Sequence, residues 1–202
     1  MAEYDHDLRN RLVDVGAALL AAEGPAALSL REIARRAGVS HGAPRRHFPT
    51  HLDLLSAIAR RGYAELDARF AEAVGDGQLP PRAQLLALGR SYLEFALNSR
   101  GMFELMFRHD LLESNRLGLR DLGLPLFGRL VDLVTRARVD GHVAAAPAPI
   151  VAGALWSNLH GIAQLWGWGS LQFTVGLDEA EPLLRAALDA HLGSDVVFSP
   201  PG

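Results

Sequence analysis

Arginine is concentrated between residues 29 and 61, where seven arginines stand against two acidic residues and give the segment a net charge of +5. Every basic residue of the chain is arginine, because the sequence contains no lysine. Guanidinium groups bind phosphate oxygens, and a pair of their N–H groups can bridge O6 and N7 of a guanine. The chemistry of this segment therefore points to recognition of nucleic acid.

The charge of the whole chain points the other way. The 202 residues include 20 basic and 23 acidic side chains, a net charge of −3 that by itself argues against nucleic acid as a partner. The average conceals a gradient, since residues 140–202 carry one arginine and six acidic residues. Such an acidic part repels phosphate, so we expect only the basic segment to dock on DNA.

The element that must position these arginines is a helix-turn-helix. The run Ser-Leu-Arg-Glu predicts a helix start at Ser29 with a capping box, in which the Ser29 oxygen and the Glu32 carboxylate each accept an unpaired amide of the first turn. Gly38 is placed for a left-handed helix end, and Ser40 can cap the recognition helix that follows. Ala34 is small where the two helices must cross.

Apolar residues recur at helical spacing through nearly the whole chain, and no run alternates as a strand does. We therefore predict an all-α protein in which a long fourth helix joins an N-terminal three-helix domain to an all-helical domain for ligand binding and dimerisation. A start resembling a capping box at Thr50 to Asp53 opens the fourth helix, which runs to about Val74. Residues 75–81 contain two glycines and two prolines, so we place the boundary there, with domains at 1–75 and 76–202.

At least five helical segments are predicted after this boundary, one of them spanning 102–112. The segment 150–166 is apolar nearly all round, which predicts burial on both sides. The last segment, capped by Asp178 and ending at Leu192, also has two apolar rows. Because only one side of each can face its own domain, we predict that helices 150–166 and 178–192 form a homodimer interface.

The segment from Ser29 to Leu55 resembles the DNA-binding domain of the tetracycline-repressor-like (TetR) regulators, in the run SLREIARRAGVSHGAPRRHFPTHLDLL. This likeness extends over residues 8 to about 70. The run LWSNLHG at 155–161 further resembles the Trp-x-x-x-His-Gly stretch of the WHG type of C-terminal domain in that family.

The resemblance implies a homodimeric transcription regulator, usually a repressor, whose C-terminal helices enclose a small-molecule pocket. Ligand binding there changes the separation of the two DNA-binding heads. Because two recognition helices enter successive major grooves only at about 34–36 Å apart, a small change lowers operator affinity. The operator should be a near-palindrome that mirrors the two-fold axis of the protein.

Ten residues are candidates for contact with double-stranded DNA, through phosphates at helix N-termini, through guanidinium groups or in the groove. These are Ser29, Arg31, Ser40, His41, Gly42, Arg45, Arg46, His47, Thr50 and His51. Similar proteins usually have Tyr at the position of Arg45 and often Lys at that of His51, so Arg45 could serve either a phosphate or a base. Ser29 and Thr50 could equally act as helix caps alone.

Seven residues are candidates for lining an effector pocket: Phe95, Met102, Phe103, Met106, Phe107, Trp156 and His160. Methionine and aromatic side chains form adaptable cavities with few polar groups, so an apolar or aromatic effector is expected. Core packing is the competing interpretation for each of them. We expect no cofactor and no metal site, because Pro49 breaks the helix that would align His47 with His51.

Two other classes of protein fit the sequence less well. An enzyme is disfavoured by the absence of Cys and Lys and of the Gly-x-Ser-x-Gly and His-Glu-x-x-His motifs. A ligand-binding or protein-interaction module that has lost DNA binding is favoured only by the unusual Pro44-Arg45 pair. The first residues lack the pattern of a signal peptide and no apolar stretch reaches the length of a membrane span, so we expect a cytoplasmic protein without a membrane partner.

Overall fold

The computed structural model describes residues 2–138 and 146–193, and every regular element within these ranges is helical. The helices are α1 (Ala2–Glu23), α2 (Leu30–Arg36), α3 (Ala43–His47), α4 (His51–Val74), α5 (Pro81–Asn98), α6 (Arg100–Met106), α7 (His109–Ser114), α8 (Leu119–Ala137), α9 (Ala148–Gly167), α10 (Ser170–Val175) and α11 (Glu181–Leu192). The predicted all-α class is confirmed. None of the described helices has the length and apolarity needed to cross a membrane.

The chain forms two compact units. The first comprises Met1–Glu65 and Asn98–Leu124, and the second comprises Leu66–Leu97 and Pro125–Gly202. The domain boundary predicted at residues 75–81 stays a prediction.

The core of the first unit is built where α1 packs against α2, α3 and α6. Its fully buried side chains include Leu12, Leu19, Ile33, Phe48, Leu54, Ile58, Leu105 and Met106. Gly16 permits a close approach, because a Cβ there would lie 2.5 Å from the Ile58 side chain. Residues of α6 thus complete a core that begins in α1.

The turn of the helix-turn-helix is a Schellman motif. Gly38 adopts φ +68°, a conformation that glycine takes without steric strain. Its N–H donates to the Arg35 carbonyl at 3.2 Å, and the Val39 N–H donates to the Ala34 carbonyl at 3.0 Å. The predicted helix end at Gly38 is confirmed, and fully buried Ala34 lies in the first unit's core.

The third helix begins later than the sequence predicted. Its N-cap is Gly42 rather than Ser40, and the Ser40 carbonyl instead accepts the Ala43 N–H at 3.0 Å in the preceding turn. Pro44 explains the shift, because this start places it in the first turn, where a missing N–H leaves no hydrogen bond unmade. The recognition helix is therefore short, from Ala43 to His47.

In the second unit, α9 packs against α10 and α11. Its inner row is buried, whereas Ile150, Trp156 and Leu165 remain 63%, 38% and 39% exposed. One side of this helix is therefore buried within the single chain, and the burial of its other side against a second copy of the chain stays a prediction. The predicted cap of the last helix is wrong, because the N-cap is Ala180 and makes no side-chain cap bond.

The segment predicted at 102–112 is divided between α6 and α7. The break comes after Met106, where Phe107 and Arg108 leave helical hydrogen bonding. Helix α10 had no counterpart in the prediction, because six residues between two glycines give too little periodicity to detect.

Candidate nucleic-acid interface

The start of α2 is capped as the sequence predicted, but only on one side of the capping box. The Ser29 hydroxyl oxygen accepts the Glu32 N–H at 3.1 Å. The Glu32 carboxylate accepts hydrogen bonds from the guanidinium groups of Arg35 and Arg36 rather than from the Ser29 amide. These bonds lower the pKa of Glu32 to about 2. The carboxylate is thus ionised at any pH at which the protein would work.

Four of the seven arginines in the basic segment are engaged by other groups of the first unit. Arg35 and Arg36 contact Glu32, and Arg36 also contacts Glu23. Further along the chain, Arg61 pairs with Asp14, and Arg60 donates to the Leu117 carbonyl. Three of these four positive charges are therefore offset by carboxylates, whereas that of Arg60 is held in place by a neutral carbonyl.

The other three arginines, Arg31, Arg45 and Arg46, are exposed. Among the side chains that the structure describes, none lies within ion-pair or hydrogen-bond distance of these three guanidinium groups. Arg31 lies in the first turn of α2, whereas Arg45 and Arg46 follow each other on α3. All three are available to an anionic partner, and all three were predicted from the sequence to contact DNA.

The remaining predicted residues lie in the turn before α3 and at the end of that helix. Ser40, His41 and Gly42 are exposed in the turn before α3, and a Cβ at Gly42 would meet no atom within 4 Å. The backbone there can thus be approached closely by a large partner. His47 is half-buried at the end of α3, with its ring 6.5 Å from that of Phe48.

The N-terminus of α4 is capped by a reciprocal pair. The Thr50 hydroxyl accepts the Asp53 N–H at 3.2 Å, while the Asp53 carboxylate accepts the Thr50 N–H at 2.9 Å and its hydroxyl at 2.7 Å. The hydrogen bond from the Thr50 hydroxyl is the main cause of a lowered Asp53 pKa. Beside this cap, the His51 Nε2 lies 2.9 Å from the Leu28 carbonyl. This contact fixes the His51 ring against the turn that precedes α2.

Sequence reasoning missed one residue of this cap. The Arg116 guanidinium pairs with the second Asp53 oxygen at 2.9 Å, from a turn in which Asn115 and Leu117 adopt φ +45° and +56°. Such angles are uncommon outside glycine and persist only where the surroundings hold them. The 63 residues between the partners leave no local pattern that could have indicated the contact.

Four of the predicted pocket residues belong to the first unit. Phe103 and Met106 are buried, while Met102 and Phe107 are partly covered. A Cβ at Gly62 would lie 2.4 Å from the Met106 sulfur and 2.7 Å from the Met102 Cγ, so α4 and α6 approach closely here. The sequence prediction that these residues line a pocket remains a prediction.

The other three predicted pocket residues, Phe95, Trp156 and His160, belong to the second unit. Phe95 is fully buried, with the Arg69 guanidinium 5.7 Å from its ring centroid. The Trp156 indole N–H donates to the Tyr92 hydroxyl at 3.1 Å, and that hydroxyl lies 3.0 Å from His160 Nδ1. Burial lowers the pKa of His160, which favours the neutral imidazole. Tyr92 was not predicted, although it joins the two predicted residues into one polar group.

Two segments of the chain match known protein families. Residues 12–58 match the family described as bacterial regulatory proteins, tetR family, and residues 85–191 match the tetracyclin repressor-like C-terminal domain. The second match alone covers more than half of the chain. The chain belongs to the TetR family of DNA-binding transcription regulators.

Solved structures agree with this assignment. A protein of unknown function from Rhodococcus sp. RHA1 is 31% identical, with 92% of this chain and 93% of that chain covered and a TM-score of 0.78. A putative TetR-family transcriptional regulator from Rhodococcus sp. is 18% identical, with coverages of 93% and 100% and a TM-score of 0.72. AibR, in complex with isovaleryl coenzyme A and operator DNA, is 16% identical, with coverages of 92% and 98% and a TM-score of 0.66.

A search among curated proteins finds no match. The family and its structural neighbours indicate a regulator rather than an enzyme. Within the two described ranges, no group of three or more His, Asp or Glu side chains is arranged to hold a metal ion.

Proposed function

We propose that the protein is a repressor that binds a near-palindromic operator as a homodimer and is released by a small molecule. The observation that carries the DNA-binding part is the exposure of Arg31, Arg45 and Arg46 on the two helices of the motif, without an acidic partner among the described side chains. Arginines without an acidic partner bind phosphate without first giving up an ion pair.

The roles of the predicted DNA-contacting residues follow from their positions. Arg45 on α3 is proposed to face the major groove, where it contacts either a base or a phosphate, with His41 and Gly42 beside it. Arg31 and Arg46 are proposed to contact phosphates, together with Ser29, Ser40 and His47. Thr50 and His51, at the N-terminus of the 24-residue α4, are proposed to lie against the backbone, where the helix dipole favours an anion.

The proposed dimer uses the outer faces of α9 and α11, as predicted for 150–166 and 178–192. Large apolar side chains left exposed on α9 support it, namely Ile150, Trp156 and Leu165. Ile150 and Leu165 lie on the side of α9 away from its buried row, and large apolar side chains left exposed there are typical of a surface that another protein covers. A second copy of the chain fits it, because a two-fold axis would also explain two heads on one operator.

The proposed effector is a small apolar or aromatic molecule bound in the C-terminal part. The seven predicted residues remain its proposed lining, and the Tyr92 hydroxyl adds a polar group between Trp156 and His160. The AibR structure, which holds isovaleryl coenzyme A together with operator DNA, is a case in which this fold carries both kinds of partner. A ligand-binding module without DNA binding is the second candidate, and the exposed arginines argue against it.

Selection of bound duplexes from a random pool tests this proposal most directly. The expected product is a near-palindrome whose half-sites are centred about one helical turn apart, or a multiple of it, as two symmetric recognition helices require. Recovery of single half-sites would contradict the dimer. Recovery of no enriched sequence would contradict sequence-specific binding and favour the ligand-binding module.

Salt dependence supplies a quantitative prediction. If only the three unpaired arginines of each head contact phosphate, a dimer neutralises about six phosphates and the slope of log K against log salt is about −5. If all seven arginines of each head took part, the slope would be about −13. Operator titrations at several salt concentrations measure the slope. A value near the steeper limit would contradict the conclusion that Arg35, Arg36, Arg60 and Arg61 are held by the protein.

A further inference from the structure

The second unit contains a cleft that none of the predicted pocket residues lines. It has a volume of about 280 Å³ and lies between the end of α4, the middle of α5 and the second half of α8. Its wall is apolar where Phe70, Val74, Leu88 and Leu133 meet. Cavities that hold drug-sized ligands start at about 300 Å³, so a ligand of this cleft must be small.

One end of the cleft carries an arginine whose position is set by a buried amide. Gln84 is 1% exposed, and its Nε2 donates to the Gly77 carbonyl at 3.0 Å and to the Leu79 carbonyl. These two bonds leave the Gln84 Oε1 as an acceptor, and the Arg136 Nη2 lies 3.3 Å from it. The guanidinium is thereby held by a neutral group and keeps its full charge.

Arg136 is the cation of the cleft that has no acidic partner among the described side chains. The other cation, Arg129, pairs with Asp67 at 2.8 Å, so its charge is largely offset. Asp132 precedes Arg136 by one helical turn, a spacing at which ion pairs commonly form, yet no ion pair joins them in the described part of the chain. Both side chains are exposed, and the Arg136 guanidinium is directed to the buried Gln84 rather than to Asp132.

We propose that this cleft binds a small amphipathic carboxylate, whose carboxyl group pairs with Arg136 and whose apolar chain lies against Phe70, Leu88 and Leu133. A guanidinium carries five N–H donors, of which Gln84 uses one. A carboxylate can take two of the remaining donors in a bidentate pair. The site is separate from the seven residues proposed above for the effector, and binding there does not require that the protein bind DNA.

Calorimetric titration of the full chain with octanoate tests the proposal, with octanol and octylamine as neutral and cationic analogues. Octanoate should bind more tightly than either analogue. Hexanoate should bind about fifteenfold more weakly than octanoate, because each buried methylene contributes about fourfold. In Arg136→Gln the affinity for octanoate should fall about tenfold or more, while that for octanol should not change.

Arg185→Gln is the matched control, because Arg185 lies on α11 of the same unit, pairs with Glu181 and does not line the cleft. Its octanoate affinity should equal that of the unsubstituted protein, and circular dichroism checks that both variants fold. Failure of octanoate to bind, equal octanoate affinity in Arg136→Gln, or tighter binding of octylamine would each overturn the proposal. Loss of DNA binding in the unsubstituted protein would count against the proposed function alone, because the calorimetry contains no DNA.

Discussion

Replacing Phe48 with alanine is expected to lower the free energy of unfolding by about 3–5 kcal/mol. The ring is 1% exposed and closes the first unit's core directly after the recognition helix. It also lies 5.2 Å below the Arg9 guanidinium of α1, a contact that the truncation removes. Denaturant unfolding at fixed protein concentration measures the loss, and operator binding should be lost with it.

Phe48→Leu is the control for this experiment. It keeps most of the buried volume and should cost less than about 1.5 kcal/mol. If Phe48→Ala were as stable as Phe48→Leu, the ring would not hold α3 in the core. The position of Arg45 and Arg46 would then need another explanation.

Replacing Arg45 with alanine is expected to weaken operator binding by about 1–3 kcal/mol per half-site, or about five- to 150-fold. Arg45 is exposed on α3 and has no partner among the described residues, so no intramolecular bond is broken by the change. Titration against the selected operator and against its single-base variants separates the two possible roles. Uniform weakening indicates a phosphate contact, and relaxed preference at one base pair indicates readout of that base.

Arg35→Ala is the matched control for Arg45→Ala. Arg35 is also an exposed arginine of the helix-turn-helix, but its guanidinium makes two hydrogen bonds with Glu32. Its removal should weaken operator binding less than about threefold, the effect of a surface ion pair. A larger loss than in Arg45→Ala would show that the pairing with Glu32 is exchanged for DNA.

The parts of the fold that the sequence predicted correctly are those that depend on residues close along the chain. The Ser29 cap, the Gly38 helix end and the Thr50–Asp53 cap each use partners no more than five residues apart. Periodicity over longer stretches located α4 and α9 for the same reason. Local chemistry is sufficient in these cases because both partners of each hydrogen bond lie at the same helix end.

Where several partners compete, the sequence did not decide the outcome. The Glu32 carboxylate could bond the Ser29 amide or the guanidinium groups of Arg35 and Arg36. It bonds the two guanidinium groups, whose positive charge adds Coulomb attraction to the hydrogen bonds. The start of α3 depended on the balance between a Ser40 cap and the placement of Pro44. Both alternatives satisfy the same local rules.

The candidate site divides in the same way. All ten proposed DNA-contacting residues lie in the continuous segment 29–51, so a sequence motif is enough to propose them. Which arginines are unpaired depends on Asp14 and Leu117, which lie 47 and 57 residues away from Arg61 and Arg60. The Arg136 cleft depends on a similarly distant partner, Gln84, and no pattern in the sequence indicates it.

The first unit draws on two separate stretches of the chain, and this has a consequence for biosynthesis. Leu105, Met106 and Leu111 are fully buried, and a Cβ at Gly101 would lie 3.0 Å from the Leu20 carbonyl. The helix-turn-helix therefore leaves the ribosome before the residues that complete its core have been synthesised. Until α6 and α7 emerge, we expect the nascent head to expose the apolar surface that these two helices cover in the folded protein. Its DNA-binding form matures only after most of the polypeptide has been translated.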